Sequence, residues 1–319
     1  MLRRLVGKTK MSKRDFSVLS SDNVHTLKGV IYFPPAKPLG LIHIVHGMTE
    51  HIGRYEKIMT DFANHGYICF GYDNLGHGKT ATDDNELGFI AKKKGYDLLA
   101  KDVKIYSDAV LKEYATGEQR LPYYLLGHSM GSFITRLAVT KYLSPDKFII
   151  MGTGGKNFFA GIGLAVIKII KLFRGEKHVS PLVDKLAFGS YNKRFGGGTK
   201  DDPSPWLTRD IEVRKKYYAD RFCTFKFTVS AMGDLIRLNA MTNSNKWYKS
   251  LPKDMPILLV SGENDPVGNY GKGITQVFDK LNKYGVKAER ILYSDARHEI
   301  LNDTTYPQVL ADLLEFIKN

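Results

Sequence analysis

The sequence predicts an α/β fold built on a mostly parallel, doubly wound sheet. Three observations carry this. Short apolar runs, rich in β-branched residues and bounded by Gly or Pro, recur along the 319 residues. Segments with helical periodicity fall between them. Strand and helix in alternation is the pattern of a sheet covered on both faces.

The strand candidates, in order, are DFSVLS, TLKGVIYF, GLIHIVHG, YICFGYD, PYYLLGH, KFIIMG, PILLVSG and RILYSD. The first two read as an antiparallel edge. The later ones read as buried parallel strands, apolar on both faces. Helical patterns cover residues 55–65, 95–114, 129–143, 272–284 and 306–318. Between Ser129 and Asp265 the chain is more than twice as long as the roughly 60 residues that two strand–helix steps need. Most of the surplus follows Gly152, through the Gly-rich, charged NKRFGGGTKDDPSP. The sequence thus divides into a core of residues 1–152 and 228–319 and an inserted, mainly helical cap at 153–227.

Composition excludes several classes. The charged and apolar shares are those of an ordinary folded chain. No apolar run approaches the ~20 residues needed to span a bilayer. The basic opening MLRRLVGKTK is followed by no apolar segment and does not read as a secretory signal. It reads as a frayed tail, with Met11 a second candidate start. Two cysteines, Cys69 and Cys223, lack the spacing of a metal site or a disulfide framework and suit a reducing cytoplasm. The net charge of +14 is dispersed, Lys92–Lys94 being the longest run, and no nucleic-acid motif accompanies it. Solubility charge is the first reading, attraction to an anionic membrane the second.

The chemistry centres on Gly127-His128-Ser129-Met130-Gly131, placed after the strand PYYLLGH and opening a helix. A serine hydroxyl is a poor nucleophile unless it is exposed on a tight turn beside a base. The two glycines are expected to let the chain turn sharply and leave room for neighbours. An acid and a base must then follow in the order Ser, Asp or Glu, His. Asp265 lies past the strand PILLVSG, with Glu263 a nearby rival; His298 lies past RILYSD. The oxyanion donors are expected from the backbone N–H groups of Met130 and Met48, the latter in the loop after GLIHIVHG. Glu50, His51 and Arg54 are either supports behind that loop or an exposed helix start. His77 and His128 read as structural. No HExxH-like spacing points to a metal, so neither metal nor cofactor is expected.

Taken together, HGMTEHIGRY, GYDNLGHGKT, GHSMGS, GENDPVG and ARHEILND resemble the monoacylglycerol lipase and lysophospholipase family of α/β-hydrolases. The resemblance runs from about residue 14 to 318 and is weakest in the cap. It implies a triad of Ser129, Asp265 and His298, oxyanion donors at Met48 and Met130, and metal-independent cleavage of single-chain acyl esters by an enzyme that binds membranes with an apolar cap. Ser132 stands where that family often has a third glycine.

The cap supports a lipid substrate separately. In GIGLAVIKIIKLF (residues 161–173), Lys168, Lys171 and Arg174 form a narrow cationic stripe on an otherwise apolar helix. Ile162, Val166, Ile167 and Ile170 are the candidate acyl-contact residues, on a helix that lines the entrance, touches lipid, or packs wholly inward. The expected activity is a carboxylic ester hydrolase acting on monoacylglycerols or lysophospholipids, cytoplasmic, with peripheral contact at the inner membrane face. The alternatives are a short-chain esterase or acyltransferase on the same triad, and a non-catalytic lipid- or partner-binding module. Nothing in the sequence sets the oligomeric state.

Overall fold

The computed structural model describes residues 11–114 and 120–319; the leader reading of residues 1–10 lies outside them. All eight expected strands form: β1 Ser12–Leu19, β2 Thr26–Phe33, β3 Gly40–Val45, β4 Tyr67–Tyr72, β5 Tyr123–His128, β6 Lys147–Met151, β7 Ile257–Gly262 and β8 Ala288–Tyr293. They make one sheet in the order β1-β2-β4-β3-β5-β6-β7-β8. β1 pairs antiparallel with β2, and β2 with β4; every later pair is parallel.

The helices are α1 Glu56–Asn64, α2 Gly95–Tyr114, α3 Met130–Lys141, α4 Ala160–Arg174, α5 Pro181–Phe188, α6 Ile211–Ala219, α7 Val229–Thr242, α8 Asn245–Ser250, α9 Lys272–Lys283 and α10 Tyr306–Lys318. The sheet divides the interior into two apolar layers. Ile68, Phe70 and Tyr72 of β4 face α2 and α3, while Tyr67 and Cys69 face α1 and α10. Because both faces are covered, the inner strands are buried throughout, which is why their sequences show continuous apolar runs instead of alternation.

The chain runs from β3 to β4 on one side and returns past β3 to β5 on the other. That reversal falls at the carboxyl ends of β3 and β5, the position at which doubly wound sheets bind ligands. The loops at 46–51 and 128–130 begin there. Between β6 and β7 the regular alternation stops, and α4, α5 and α6 fill the insertion. α7, which the sequence did not reveal, packs against α2, α3 and α4. Among the described residues no helix is long and apolar enough to cross a membrane.

His43 of β3 is fully buried in this core. Its ring stacks on Phe70 with centroids 4.6 Å apart, and Nδ1 sits 2.9 Å from Ser107 Oγ. Burial pushes its pKa down to about 3. The unfolded chain takes up this proton near 6.5, the folded chain only near 3, so stability is lost on acidification across that window. His43→Asn, which keeps a polar partner for Ser107 but does not titrate, should flatten the fall of unfolding free energy with pH. The expected change is about 1.4 kcal/mol per pH unit between pH 6 and 4, read by urea denaturation.

Candidate active site

Ser129 is the single residue between β5 and α3, and it takes the strain of the turn itself, with φ 53° and ψ −120°. A non-glycine residue held there costs on the order of 1–3 kcal/mol and persists only where its surroundings fix it. Here Ser129 N–H donates to the Met151 carbonyl at the end of β6 (3.0 Å), and Ser132 N–H closes the first turn on the Ser129 carbonyl (2.9 Å). Of the two jobs expected of the flanking glycines, the structure shows one, room for neighbours. Neither has a positive φ; both permit close approach. A Cβ on Gly131 would lie 2.1 Å from the Val45 carbonyl oxygen, and one on Gly127 would lie 2.5 Å from that of Gly131. Small residues thus let α3 start directly against the end of β3. Ser132 donates to the Ser129 carbonyl (2.6 Å) and lies 2.9 Å from Thr153 Oγ1, a polar use of the position that glycine could not make.

Asp265 and His298 come together from the loops after β7 and β8. His298 Nδ1 is 2.9 Å from Asp265 Oδ2, and both side chains are buried. The other carboxylate oxygen accepts from Val267 N–H (2.8 Å), and Ser261 Oγ lies 3.2 Å from Oδ2. Asp265 is therefore fixed in orientation. Glu263 is exposed, and its backbone N–H bonds the Tyr293 carbonyl. The two loops touch closely: a Cβ on Gly262 would fall 2.2 Å from the Ala296 carbonyl oxygen.

The loop carrying Met48 lies against the serine, since a Cβ on Gly47 would be 3.0 Å from Ser129 Cβ. Met130 is the first residue of α3, where backbone N–H groups have no partner within the helix. Thr49 follows Met48 at φ 50°, and its carbonyl accepts from the Tyr217 hydroxyl of α6 (2.9 Å).

Behind these loops is a buried charge network that settles the two readings of Glu50 and Arg54. Glu50 Oε1 accepts from Gly47 N–H (2.5 Å) and from the Tyr55 hydroxyl (2.9 Å), and lies 3.2 Å from His128 Nδ1. Arg54 reaches Glu50 Oε2 (3.1 Å) and makes two 2.6 Å bonds to Glu299. His128 Nε2 faces the His298 carbonyl at 3.3 Å. Burial alone would push Glu50 up, but His128 and Arg54 outweigh it and hold its pKa well below the ordinary carboxylate range. Burial likewise opposes the charge of His128, yet Glu50 raises its pKa above the ordinary value. Arg54 also faces the Tyr217 ring, 4.8 Å from the centroid.

Trp206 and Tyr191 carry no local sequence signal. Trp206 lies over His298 with ring centroids 5.2 Å apart, and Tyr191 backs it at 5.0 Å. His298 is thereby held between Trp206 and His128, whose ring is 4.8 Å away on centroids. The Trp206 and Leu207 carbonyls accept from the backbone N–H groups of His298 and Glu299. Only fold topology brings these segments together, so no local motif could have flagged them. His77 is fully buried, its Nδ1 against the Leu75 carbonyl (2.9 Å) and its ring edge-on to Phe225 and Phe227.

The four candidate acyl-contact residues of α4 differ in burial. Ile162 is exposed, Val166 and Ile170 are half-buried, and Ile167 is buried in the core. A Cβ on Gly233 of α7 would meet Ile167 at 3.4 Å, so Ile167 packs inward on α7. The cationic stripe also thins: Lys171 turns back to the Lys92 carbonyl and Ser230 Oγ, both at 3.2 Å. An open groove of about 790 Å³ is lined by Arg194, Glu263, Tyr270, Lys272 and Lys280, among others, but by none of Ser129, Asp265 and His298.

A serine on a strained strand-to-helix turn, above a mostly parallel sheet that carries a histidine–aspartate pair on its last two strand ends, defines an α/β-hydrolase. Residues 36–305 match the family model described as "Serine aminopeptidase, S33" (Hydrolase_4), and the chain belongs to that family. It is 23% identical over 312 residues to a monoacylglycerol lipase of Mycolicibacterium smegmatis, covering 94% of this chain and 98% of that one. It is also 23% identical over 305 residues to an uncharacterized abhydrolase domain-containing protein of Dictyostelium discoideum, of whose length it spans 28%. Among crystal structures, a highly thermostable carboxyl esterase from Bacillus coagulans superposes with a TM-score of 0.88 at 28% identity, over 97% of this chain and 99% of that one. With these relatives the chain is a carboxylic ester hydrolase.

The charge network yields a stability prediction. Arg54→Met leaves Glu50 and Glu299 buried without their shared cation. Breaking a buried pair on one side in this way costs roughly 3–5 kcal/mol. Equilibrium urea unfolding of the variant should show that loss.

Proposed function

We propose that the protein cleaves the carboxylic ester of single-chain lipids, monoacylglycerols or lysophospholipids, through an acyl-enzyme on Ser129. The observation that carries this is the buried His298–Asp265 hydrogen bond, together with a serine held alone at the elbow after β5. In this reading Ser129 Oγ attacks the acyl carbonyl while His298 Nε2 takes its proton. Asp265 holds the Nδ1–H tautomer and stabilises the imidazolium. The N–H groups of Met48 and Met130 receive the oxyanion, at the positive end of α3. His298 then protonates the departing alcohol oxygen, and water, deprotonated by the same imidazole, releases the fatty acid.

The substrate class draws on the monoacylglycerol lipase of M. smegmatis and on the B. coagulans esterase, whose crystals hold glycerol. That second likeness also favours a broader short-chain esterase. A panel varying acyl length and head group decides: a kcat/KM that rises with chain length supports the lipid reading, and a maximum at acetyl or butyryl esters supports the other.

Ser129→Ala should abolish fluorophosphonate labelling and lower kcat by several orders of magnitude. Asp265→Asn should cost roughly 10⁴-fold in turnover by admitting the wrong tautomer, whereas exposed Glu263→Gln should be mild. Labelling at another serine, or the reverse ranking of the two acids, contradicts these roles.

We further assign residues 153–227 to a cap that meets lipid. Phe158, Phe159, Ile162, Ile169, Leu172 and Phe173 are all exposed by more than half. Each large apolar side chain buried in lipid is worth roughly 1.5–3 kcal/mol, and Lys168 and Arg174 add attraction to an anionic surface. Ile169→Asp with Phe173→Asp should weaken co-sedimentation with anionic vesicles and raise KM for long-chain esters, while a soluble short-chain ester is hydrolysed as before. Ile167→Asp should lower the melting temperature instead, because its side chain lies in the core.

A further inference from the structure

The fold brings His51, Asp220 and Cys223 together, although they are far apart in sequence. His51 lies in the turn after the Met48 loop. Asp220 and Cys223 belong to the inserted segment just past α6. Each offers one ligand atom, and these atoms lie within 4.8 Å of one another. His51 Nε2 is 2.8 Å from Asp220 Oδ2. The cysteine is buried and free, closing the inner side of the cluster. The side chains of His51 and Asp220 are 20% and 32% exposed, which leaves an entry from solvent. The positive charge of Arg54 reaches Asp220 and Cys223, but Glu50 and Glu299, both paired with it, offset it.

We propose that His51, Asp220 and Cys223 bind a thiophilic divalent cation of the zinc type, which staples the 220–223 segment to the turn behind the oxyanion loop. One imidazole, one carboxylate and one thiolate suit zinc and its neighbours, not magnesium or calcium. Bond lengths of about 2.0–2.3 Å in a tetrahedron place donor atoms roughly 3.3–3.7 Å apart. The His51–Asp220 pair therefore opens by about half an ångström, within the reach of two part-exposed side chains. Water takes the fourth position. On binding, the S–H bond breaks, an S–metal bond forms, and the proton leaves to solvent, so affinity rises with pH. His51 gives up the Nε2–H it donates to Asp220, that proton moving through solvent to Nδ1, and Nε2 then binds the metal as the donor atom of a neutral imidazole. The cation is not a participant in ester cleavage; it ties together two segments already joined by the Tyr217–Thr49 and His51–Asp220 bonds.

Cobalt titration of the full chain, after chelation, tests this. Wild type and Cys69→Ala should develop a thiolate-to-cobalt charge-transfer band in the near ultraviolet, saturating at one equivalent. Cys223→Ser should lack the band yet hydrolyse a soluble ester at the wild-type rate in metal-free buffer. Zinc should raise the melting temperature of wild type by a few degrees and leave that of Cys223→Ser unchanged. At the part-exposed position, His51→Gln should weaken cobalt binding at least tenfold, which keeps the test open if Cys223→Ser folds poorly. A wild type with no thiolate band, a band that survives Cys223→Ser, or undiminished affinity in His51→Gln overturns the site.

Discussion

The carboxylate of Glu50 is the constraint on which the site depends. It is buried, and it serves three loops at once. Through Gly47 N–H it holds the loop that carries Met48; through His128 it holds the residue before Ser129; through Arg54 it reaches Glu299, the residue after His298. Ser129, the Met48 loop and His298 arrive from three strand ends distant in sequence. No local structure sets their spacing, and a core of aliphatic side chains would leave them free to slide by fractions of an ångström. Directional, charge-assisted hydrogen bonds do not permit that slide. The cost is desolvation of two carboxylates and a guanidinium, which is offset only because every member is partnered.

The strain at Ser129 has a similar logic. Its left-handed φ exists because β5 must end and α3 must begin within one residue. Gly127 and Gly131 do not relieve the turn; they remove the Cβ atoms that would hold α3 away from β5 and from β3. The dihedral strain therefore falls on the one residue whose side chain must stand clear, and the packing around it comes from the residues that have none.

Much of this was legible in the sequence, and the physical reason is consistent. Buried parallel strands and amphipathic helices write their periodicity locally, so the eight strands were found, and α2 and α10 to the residue. The elbow, Asp265 and His298 were legible because each follows an apolar run that ends in a glycine- or charge-marked loop. What was not legible depends on contacts between distant segments. HGMTEHIGRY looked equally like a support and like an exposed helix start, because burial of Glu50 and Arg54 comes from Glu299 and Tyr217. Trp206 and Tyr191 sit in a charged, Gly-rich stretch with no period. Two cysteines without ligand spacing gave no reason to place Cys223 beside His51. Helix α4 was found, but periodicity could not say that α7 would take Ile167 and leave Ile162 outside, since α7 itself was not recognised.

The insertion between β6 and β7 is fastened unevenly, and this bears on how substrate could approach. Its later part is tied to the site by many bonds: residues 206 and 207 to the His298 loop, Thr208 and Arg209 to Asp303, Tyr217 to Thr49, Asp220 to His51. Its earlier part carries the exposed Phe158, Phe159, Leu172 and Phe173, with Leu182 and Leu186 of α5 also exposed. α4 is joined to the core chiefly through α7, by apolar contact at Ile167 and by the Lys171 bonds. Apolar packing is non-directional and tolerates small displacements, whereas the bonds at 206–220 do not. Displacement is therefore cheapest at α4 and α5, on the apolar side, and costliest in the wall over His298. The most apolar exposed surface and the segment best able to shift are the same one, and the bonds that position His298 lie outside it.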